Sequence, residues 1–260
     1  MFQLKFQHIQ LKIQDRVVRI TLSRPPLNVI TIPMMKEILR ALEECENQRD
    51  TVAIVFDAAQ GSRGFSAGVS IEEHAEEIVF QMLENFHAIF RTIERIGKPA
   101  VALVDGMALG GGCELVATCD IVIASDRARF GQPEIKLGVF PPIAAVLLPS
   151  VIGPKKAREL LLTGELMSAQ EALHFGLVNY VLPSSELENK LQLILSRLRE
   201  LSSVSLASTK HAIDAAMGLP FDEGLKQTED IYLNELMRTD DAREGIKAFI
   251  EKRRPNWKHR

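Results

Sequence analysis

The stretch 105-DGMALGGGCEL-115 decides how the rest of the chain is read. An apolar run, Ala100 to Val104 (AVALV), precedes it, and LVATC continues it to Cys119. Three consecutive glycines, Gly110 to Gly112, between a strand and a helix let the backbone approach a ligand closely with its amide N–H groups turned outward. A helix start adds partial positive charge, so the segment suits an anion or a developing oxyanion. No Gly-Lys-Ser/Thr follows and the glycines miss the usual GxGxxG spacing, so neither a phosphate loop nor a dinucleotide turn is indicated. Close helix–strand packing, which also needs small residues, is the competing reading.

Outward from this segment the chain alternates strand and helix patterns. Val17 to Leu22 (VVRITL) reads as a strand stopped by Arg24-Pro25-Pro26, and Val52 to Phe56 (VAIVF) as a second. Between them a helix from Pro33 to Glu46 carries Met34, Ile38, Ala41, Leu42 and Cys45 on one stripe. A loop with Gly61, Gly64 and Gly68 leads to a long helix expected from Ile71 to Ile96, with Ile78, Met82, Phe86, Ile89 and Ile93 at helical spacing. Downstream, Ile121 to Ala124 (IVIA) is a further strand. Continuous apolar strands alternating with helices indicate an α/β fold with a largely parallel sheet buried on both faces. After Gly153 the pattern becomes helix after helix, over 154–162, 168–174, 185–201, 205–217, 220–237 and 239–252.

The chain has 260 residues, 46% of them hydrophobic and 25% charged, which suits a sizeable core in a soluble globular protein. The net charge of -3 argues against a dedicated nucleic-acid binder, which carries a basic excess. No apolar run spans a bilayer, and the opening MFQLKFQHIQLKIQD lacks the regions of a signal peptide, so a cytoplasmic protein is expected. Three cysteines, none in a CxxC pair, indicate neither a disulfide framework nor a metal site.

Two carboxylates stand out. Glu114 lies in the first turn of the helix after the glycines, inside an apolar stretch, and Glu134 sits in Phe130-Gly131-Gln132-Pro133-Glu134-Ile135 after the next strand. A helix, a strand and a return loop can bring both to one cleft, where different environments divide proton acceptance from donation. Two unrelated surface glutamates are the alternative. Gly64-Phe65-Ser66-Ala67-Gly68 matches the GxSxG of serine hydrolases, with His174, His211 or His259 as conceivable partners, but the strand before it ends too early for a nucleophile elbow. His74 is either a partly exposed histidine above a core stripe or a polar group in an apolar pocket. The tail from Glu251 to Arg260 is the one basic cluster, either solvated or able to clamp phosphates, with Trp257 as a stacking surface.

In order and spacing, several of these segments resemble the enoyl-CoA hydratase/isomerase (crotonase) family over nearly the whole chain. They are Arg24-Pro25 with Asn28, Phe65-Ser66-Ala67-Gly68, Asp105 through Glu114, Cys119-Asp120, Phe130 to Glu134, and Phe249-Ile250-Glu251-Lys252-Arg253. The resemblance implies a spiral of ββα units with a C-terminal helical region that makes trimers, commonly stacked into hexamers. It divides the chain into a core with the CoA-thioester site over 1–200 and a trimerisation region over 201–260. It also implies an oxyanion hole from the amides of Val69 and Gly111, catalytic roles for Glu114 and Glu134, and CoA contacts from Ser66, Phe249 and Lys252. Substrate-binding positions are Ala67, His74, Met82, Phe140 and Pro142. No metal or redox cofactor is implied, since coenzyme A enters as part of the substrate.

Two stretches narrow the expectation. Val69-Ser70-Ile71-Glu72-Glu73-His74 and Phe140-Pro141-Pro142 look like the cyclohexa-1,5-diene-1-carbonyl-CoA hydratases of anaerobic aromatic degradation, and Pro142 has no N–H to offer. The expected activity is therefore hydration of a cyclic dienoyl-CoA to 6-hydroxycyclohex-1-ene-1-carbonyl-CoA. The alternatives are a straight-chain enoyl-CoA hydratase or isomerase of β-oxidation, a GxSxG hydrolase, and a non-catalytic CoA- or RNA-binding family member.

Overall fold

The computed structural model describes residues 5–260. Strands β1 (Ile9–Gln14) and β2 (Val17–Leu22) form a hairpin. Its two-residue turn, Asp15-Arg16, takes positive φ at both positions, the twist that tight hairpins favour. After α1 (Ile32–Asn47) a unit of long strand, short strand and helix recurs. It appears as β3 (Ala53–Ala58), β4 (Gly64–Ser66) and α2 (Val79–Ile96), then as β5 (Ala100–Val104), β6 (Met107–Leu109) and α3 (Gly111–Ala117). A third copy is β7 (Ile121–Ser125), β8 (Arg129–Gly131) and α4 (Pro142–Val151). The chain continues through α5 (Pro154–Thr163), β9 (Leu166–Ser168), α6 (Ala169–Phe175), β10 (Tyr180–Leu182) and α7 (Leu187–Arg199). It closes with α8 (Ser203–Ala216), α9 (Phe221–Asp230) and α10 (Asp240–Ile250).

The long strands join one sheet in the order β1-β2-β3-β5-β7-β10 and the short ones another, β4-β6-β8-β9. All neighbours are parallel except β1/β2 and β8/β9. This is the expected ββα spiral. Consecutive corners nest tightly: at Gly106, φ +91°, a Cβ would stand 2.9 Å from Arg63 O and 3.0 Å from Gly64 Cα.

Alternation along the long strands explains their unbroken apolar sequence. Val18, Ile20, Ile54, Phe56, Ala102 and Val122 face the main core with α1 and α2, while Val17, Val55, Val101 and Ile123 face a second layer under Leu187, Leu191 and Leu195 of α7. With both faces covered, each buried Val, Ile or Phe contributes roughly 1.5–3 kcal/mol of apolar burial.

The five short strands β4, β6, β8, β9 and β10 escape the sequence reading because three residues are too few to show a period. The long helix expected from Ile71 is also interrupted. Ile71–His74 is a separate 3-10 turn followed by extended backbone at Ala75, and α2 begins only at Val79. Both carboxylate oxygens of Glu73 accept from Ile32 N, which ties this turn to the start of α1 and away from α2. His74 therefore does not stand on the long helix. The expected helix over 220–237 likewise changes hydrogen-bonding register after Asp230. The basic tail is strapped to α10: Arg253 pairs with Glu244, Arg260 with Asp240, and the amides of Lys258 and His259 with the buried Asp241. Trp257 lies against Gly245 and donates to Glu200 O at 2.8 Å. Among the described residues, no helix is long and apolar enough to cross a membrane.

Candidate active site

Glu114 enters the interior because α3 is apolar on every other side: Gly111, Gly112, Cys113, Leu115 and Val116 are all buried, and Glu114 itself is 2% exposed. Its Oε1 accepts from Ala144 N at 2.7 Å, an amide of the first turn of α4, where helical geometry leaves donors without internal partners. Burial pushes its carboxyl up to about 8; the Ala144 and Ile143 amides oppose the rise and the nearby Glu134 charge adds to it. Pro142 occupies the first position of α4, so its missing N–H costs nothing and the next two amides turn to Glu114.

Glu134 stands in a short 3-10 turn, Pro133–Leu137, that follows β8. It is less deeply set than Glu114, its Oε2 is buried without a partner, and burial again raises its pKa. The backbone of Gly110, φ +50°, lies directly against this carboxylate, so that a Cβ there would overlap Glu134 Oε1. Glycine is needed here on two counts, the left-handed conformation and the missing side chain. The short-strand sheet places this contact, since Gly110 N donates to Gly131 O, next to the residues that carry Glu134.

Beside the carboxylates two backbone segments touch. A Cβ on Gly68 would stand 3.0 Å from Leu109 O and 3.4 Å from Gly111 N. In the parallel bridge between Ile30 and Val69, Ile30 N donates to Gly68 O and Ser70 N to Ile30 O, so the Val69 amide points away from the pairing. Gly111 N is a first-turn amide of α3. The predicted pair of donors thus sits on two segments in contact, and Gly110, next to Gly111, lies against Glu134. Phe86 Cζ and Val69 Cγ2 close over Gly111, at 2.7 and 2.8 Å from where its Cβ would be. Sequence reading placed Phe86 only on a core stripe; nothing in its spacing separates a core phenylalanine from one that seals this glycine.

The other predicted positions divide. Ser66 is 1% exposed, its hydroxyl donates to Asn28 O at 2.7 Å and accepts from Gly68 N at 3.1 Å. That hydroxyl is used inside the fold, which argues against the nucleophile reading. His211 pairs with Glu235 and His259 with Arg16 and Ser203, not with Ser66. Asn28, fully buried, donates to the carbonyls of Phe65 and Gly64 and so holds the glycine loop in place. Ala67 donates to Leu27 O on the same loop. Met82 is a core residue, 2% exposed in the main cluster. Phe140 is 68% exposed just before α4, and Ile143 packs against the core. His74 Nδ1 is 2.9 Å from Ser70 O at the end of the Ile71–His74 turn. Phe249 and Lys252 lie at the far end of α10, Phe249 86% exposed, among helices that pack on α8.

The sequence profile of the family described as enoyl-CoA hydratase/isomerase matches residues 12–260. A probable enoyl-CoA hydratase of Mycobacterium bovis is 36% identical over 258 residues, covering 98% of this chain and 99% of the relative. A cyclohexa-1,5-dienecarbonyl-CoA hydratase of Thauera aromatica is 34% identical over 244 residues, covering 94% and 93%. A crystal structure of an enoyl-CoA hydratase from Bacillus anthracis superposes with a TM-score of 0.90 at 31% identity, over 98% of this chain and all of that one. On its sequence, its ββα spiral and the match along nearly its whole length, the chain belongs to the enoyl-CoA hydratase/isomerase family.

Proposed function

We propose that this protein is a hydro-lyase that adds water to a conjugated acyl-CoA thioester, with cyclohexa-1,5-diene-1-carbonyl-CoA as substrate. The observation that carries the hydratase reading is the pair of unlike carboxylates, Glu114 and Glu134, set around Gly110 next to the amides of Val69 and Gly111. With its carboxyl pushed up to about 8, Glu114 is the proton donor in this reading, and the less deeply set Glu134 is the acceptor. Water loses a proton to Glu134 as its oxygen bonds to the carbon β to the thioester. The electron pair moves onto the carbonyl oxygen, where the two amides receive it; fixed donors of this kind supply about 2.7–4 kcal/mol each. The dienolate then takes a proton at the far end of the diene, from Glu114, and leaves the 6-hydroxycyclohex-1-ene thioester. One proton has left water and one has joined the ring, and the carbonyl has served as the electron sink, so the reaction calls for no metal or redox cofactor.

The cyclic substrate is supported by the Val69–His74 stretch, by Phe140-Pro141-Pro142 and by the Thauera relative. Straight-chain hydration is the second reading, and the Mycobacterium relative, named as a probable enoyl-CoA hydratase, is compatible with it. Mass spectrometry of water addition decides between them, with crotonyl-CoA and cyclohexa-1,5-diene-1-carbonyl-CoA offered together in equal amounts. Preferential hydration of the cyclic diene is expected; preference for crotonyl-CoA returns the protein to straight-chain chemistry, and no hydration of either overturns the reading. Exposed Phe221, Leu233 and Phe249 support packing of the C-terminal helices on another copy, as a trimer or a hexamer. Light scattering of the purified protein tests that assembly, and a monomer at micromolar concentration would exclude it.

A further inference from the structure

Two side chains crowd Gly111, the glycine at the start of α3 whose amide the proposed reaction uses. Phe86 Cζ and Cε2 stand 2.7 and 3.3 Å from where a Cβ of Gly111 would lie, and Val69 Cγ2 stands at 2.8 Å. A Cβ and its own backbone nitrogen are about 2.5 Å apart, so the rim of the Phe86 ring comes within about 5 Å of the Gly111 nitrogen. A carbonyl oxygen accepting from that amide brings its acyl carbons into the same space. The ring is also held in place. Phe90, one turn further along α2, meets it edge to face, with centroids 4.9 Å apart and planes at 80°. Phe86 is 4% exposed, and Met82 on the preceding turn is buried in the same cluster. A ring packed in this way yields little to a larger group pressed against it.

We propose that Phe86 is a specificity-determining residue, the wall that limits the bulk of the acyl group of a thioester bound at Gly111. This role rests on the carbonyl entering between the Val69 and Gly111 amides, as in the proposed reaction. Phe86 favours compact acyl groups, whereas a long or branched chain meets the rim of the ring. Val69 borders the same space but also belongs to the backbone that offers a donor. Phe86 contributes only its side chain, so it can be shortened without touching either donor. Room for one methylene more or less changes the preference of an apolar pocket by about 10–200-fold.

The test compares kcat/KM for crotonyl-CoA, the cyclic dienoyl-CoA and octenoyl-CoA in the unaltered protein, Phe86→Leu and Phe86→Ala. Ile93→Val, a change in the buried stripe of α2 two turns further on, is the control. The preference for octenoyl-CoA over the better compact ester should rise by at least about tenfold in Phe86→Ala. A smaller rise is expected in Phe86→Leu, which keeps more of the apolar volume, and none in Ile93→Val. A second readout needs no turnover: in calorimetry, octanoyl-CoA should gain affinity relative to butyryl-CoA in the same order. Unchanged preferences in both Phe86 variants, with only the melting temperature lowered, would make Phe86 a core residue and overturn the proposal. An equal rise in Ile93→Val would overturn it too, as a general loosening of α2. If the unaltered protein hydrates none of the three esters, the hydratase reading falls instead, and the calorimetric preference alone decides the role of Phe86.

Discussion

Two regions of the site present the same side chain in opposite settings. On α3, Glu114 is enclosed by apolar neighbours and anchored at 2.7 Å by an amide from α4, thirty residues away. On the turn after β8, Glu134 is partly open, lies against bare backbone at Gly110 and keeps one oxygen unpaired. Burial raises both, but Glu114 is carried to about 8. Environment, not residue type, thereby sets the two carboxyls apart.

The strongest way to break this comparison is Glu134→Gln, which keeps the shape and removes the acceptor. Turnover should fall by about 10²–10⁴-fold, with binding of the CoA ester retained in calorimetry; near-normal turnover would sink the two-carboxylate mechanism. Glu114→Gln is expected to cost nearly as much activity but to stabilise the fold. The native carboxyl binds its proton more tightly than the unfolded one, so the protein loses stability as pH rises from about 4.5 to about 8. The variant escapes that loss, and thermal unfolding should show an advantage that grows across this window, on the order of a few kcal/mol at its upper end. An advantage independent of pH would contradict the buried, proton-holding state of Glu114. The unaltered enzyme should accordingly lose kcat/KM as pH climbs through about 8.

Gly110→Ala sharpens the comparison from the backbone side. The new methyl would displace the Glu134 carboxylate, and a shift of about 1 Å at a reacting group costs on the order of 10²-fold in kcat. An equal loss in Gly110→Ala and in a distant glycine variant would point to folding instead. The smallest effect on chemistry is expected from Ser66→Ala. It forfeits two buried hydrogen bonds, about 1–3 kcal/mol of stability, yet should turn over at close to the normal rate. A well-folded Ser66→Ala without activity would revive the hydrolase reading.

Much of this site was legible in the order of residues along the chain. The glycines at 110–112, the two glutamates and the FSAG segment announce themselves because each requirement is local: small residues where backbone approaches backbone, a carboxylate set in an apolar run. The long strands were legible for the same reason, since burial on both faces writes an unbroken apolar run into five or six residues. By contrast, the FSAG motif does not reveal that Asn28 O lies against the Ser66 hydroxyl. The break at Ala75 was hidden because the bond that enforces it comes from Ile32, some forty residues earlier.

By itself, the sequence determined the apolar strands, the glycine-rich turn and the identity of the acids, all properties carried by a residue and its near neighbours. Only the tertiary structure decided the short-strand sheet, the amides that hold Glu114, the bare backbone against Glu134 and the turn that carries His74. Those depend on partners distant along the chain, and protonation in a protein interior is set by what surrounds a group in space.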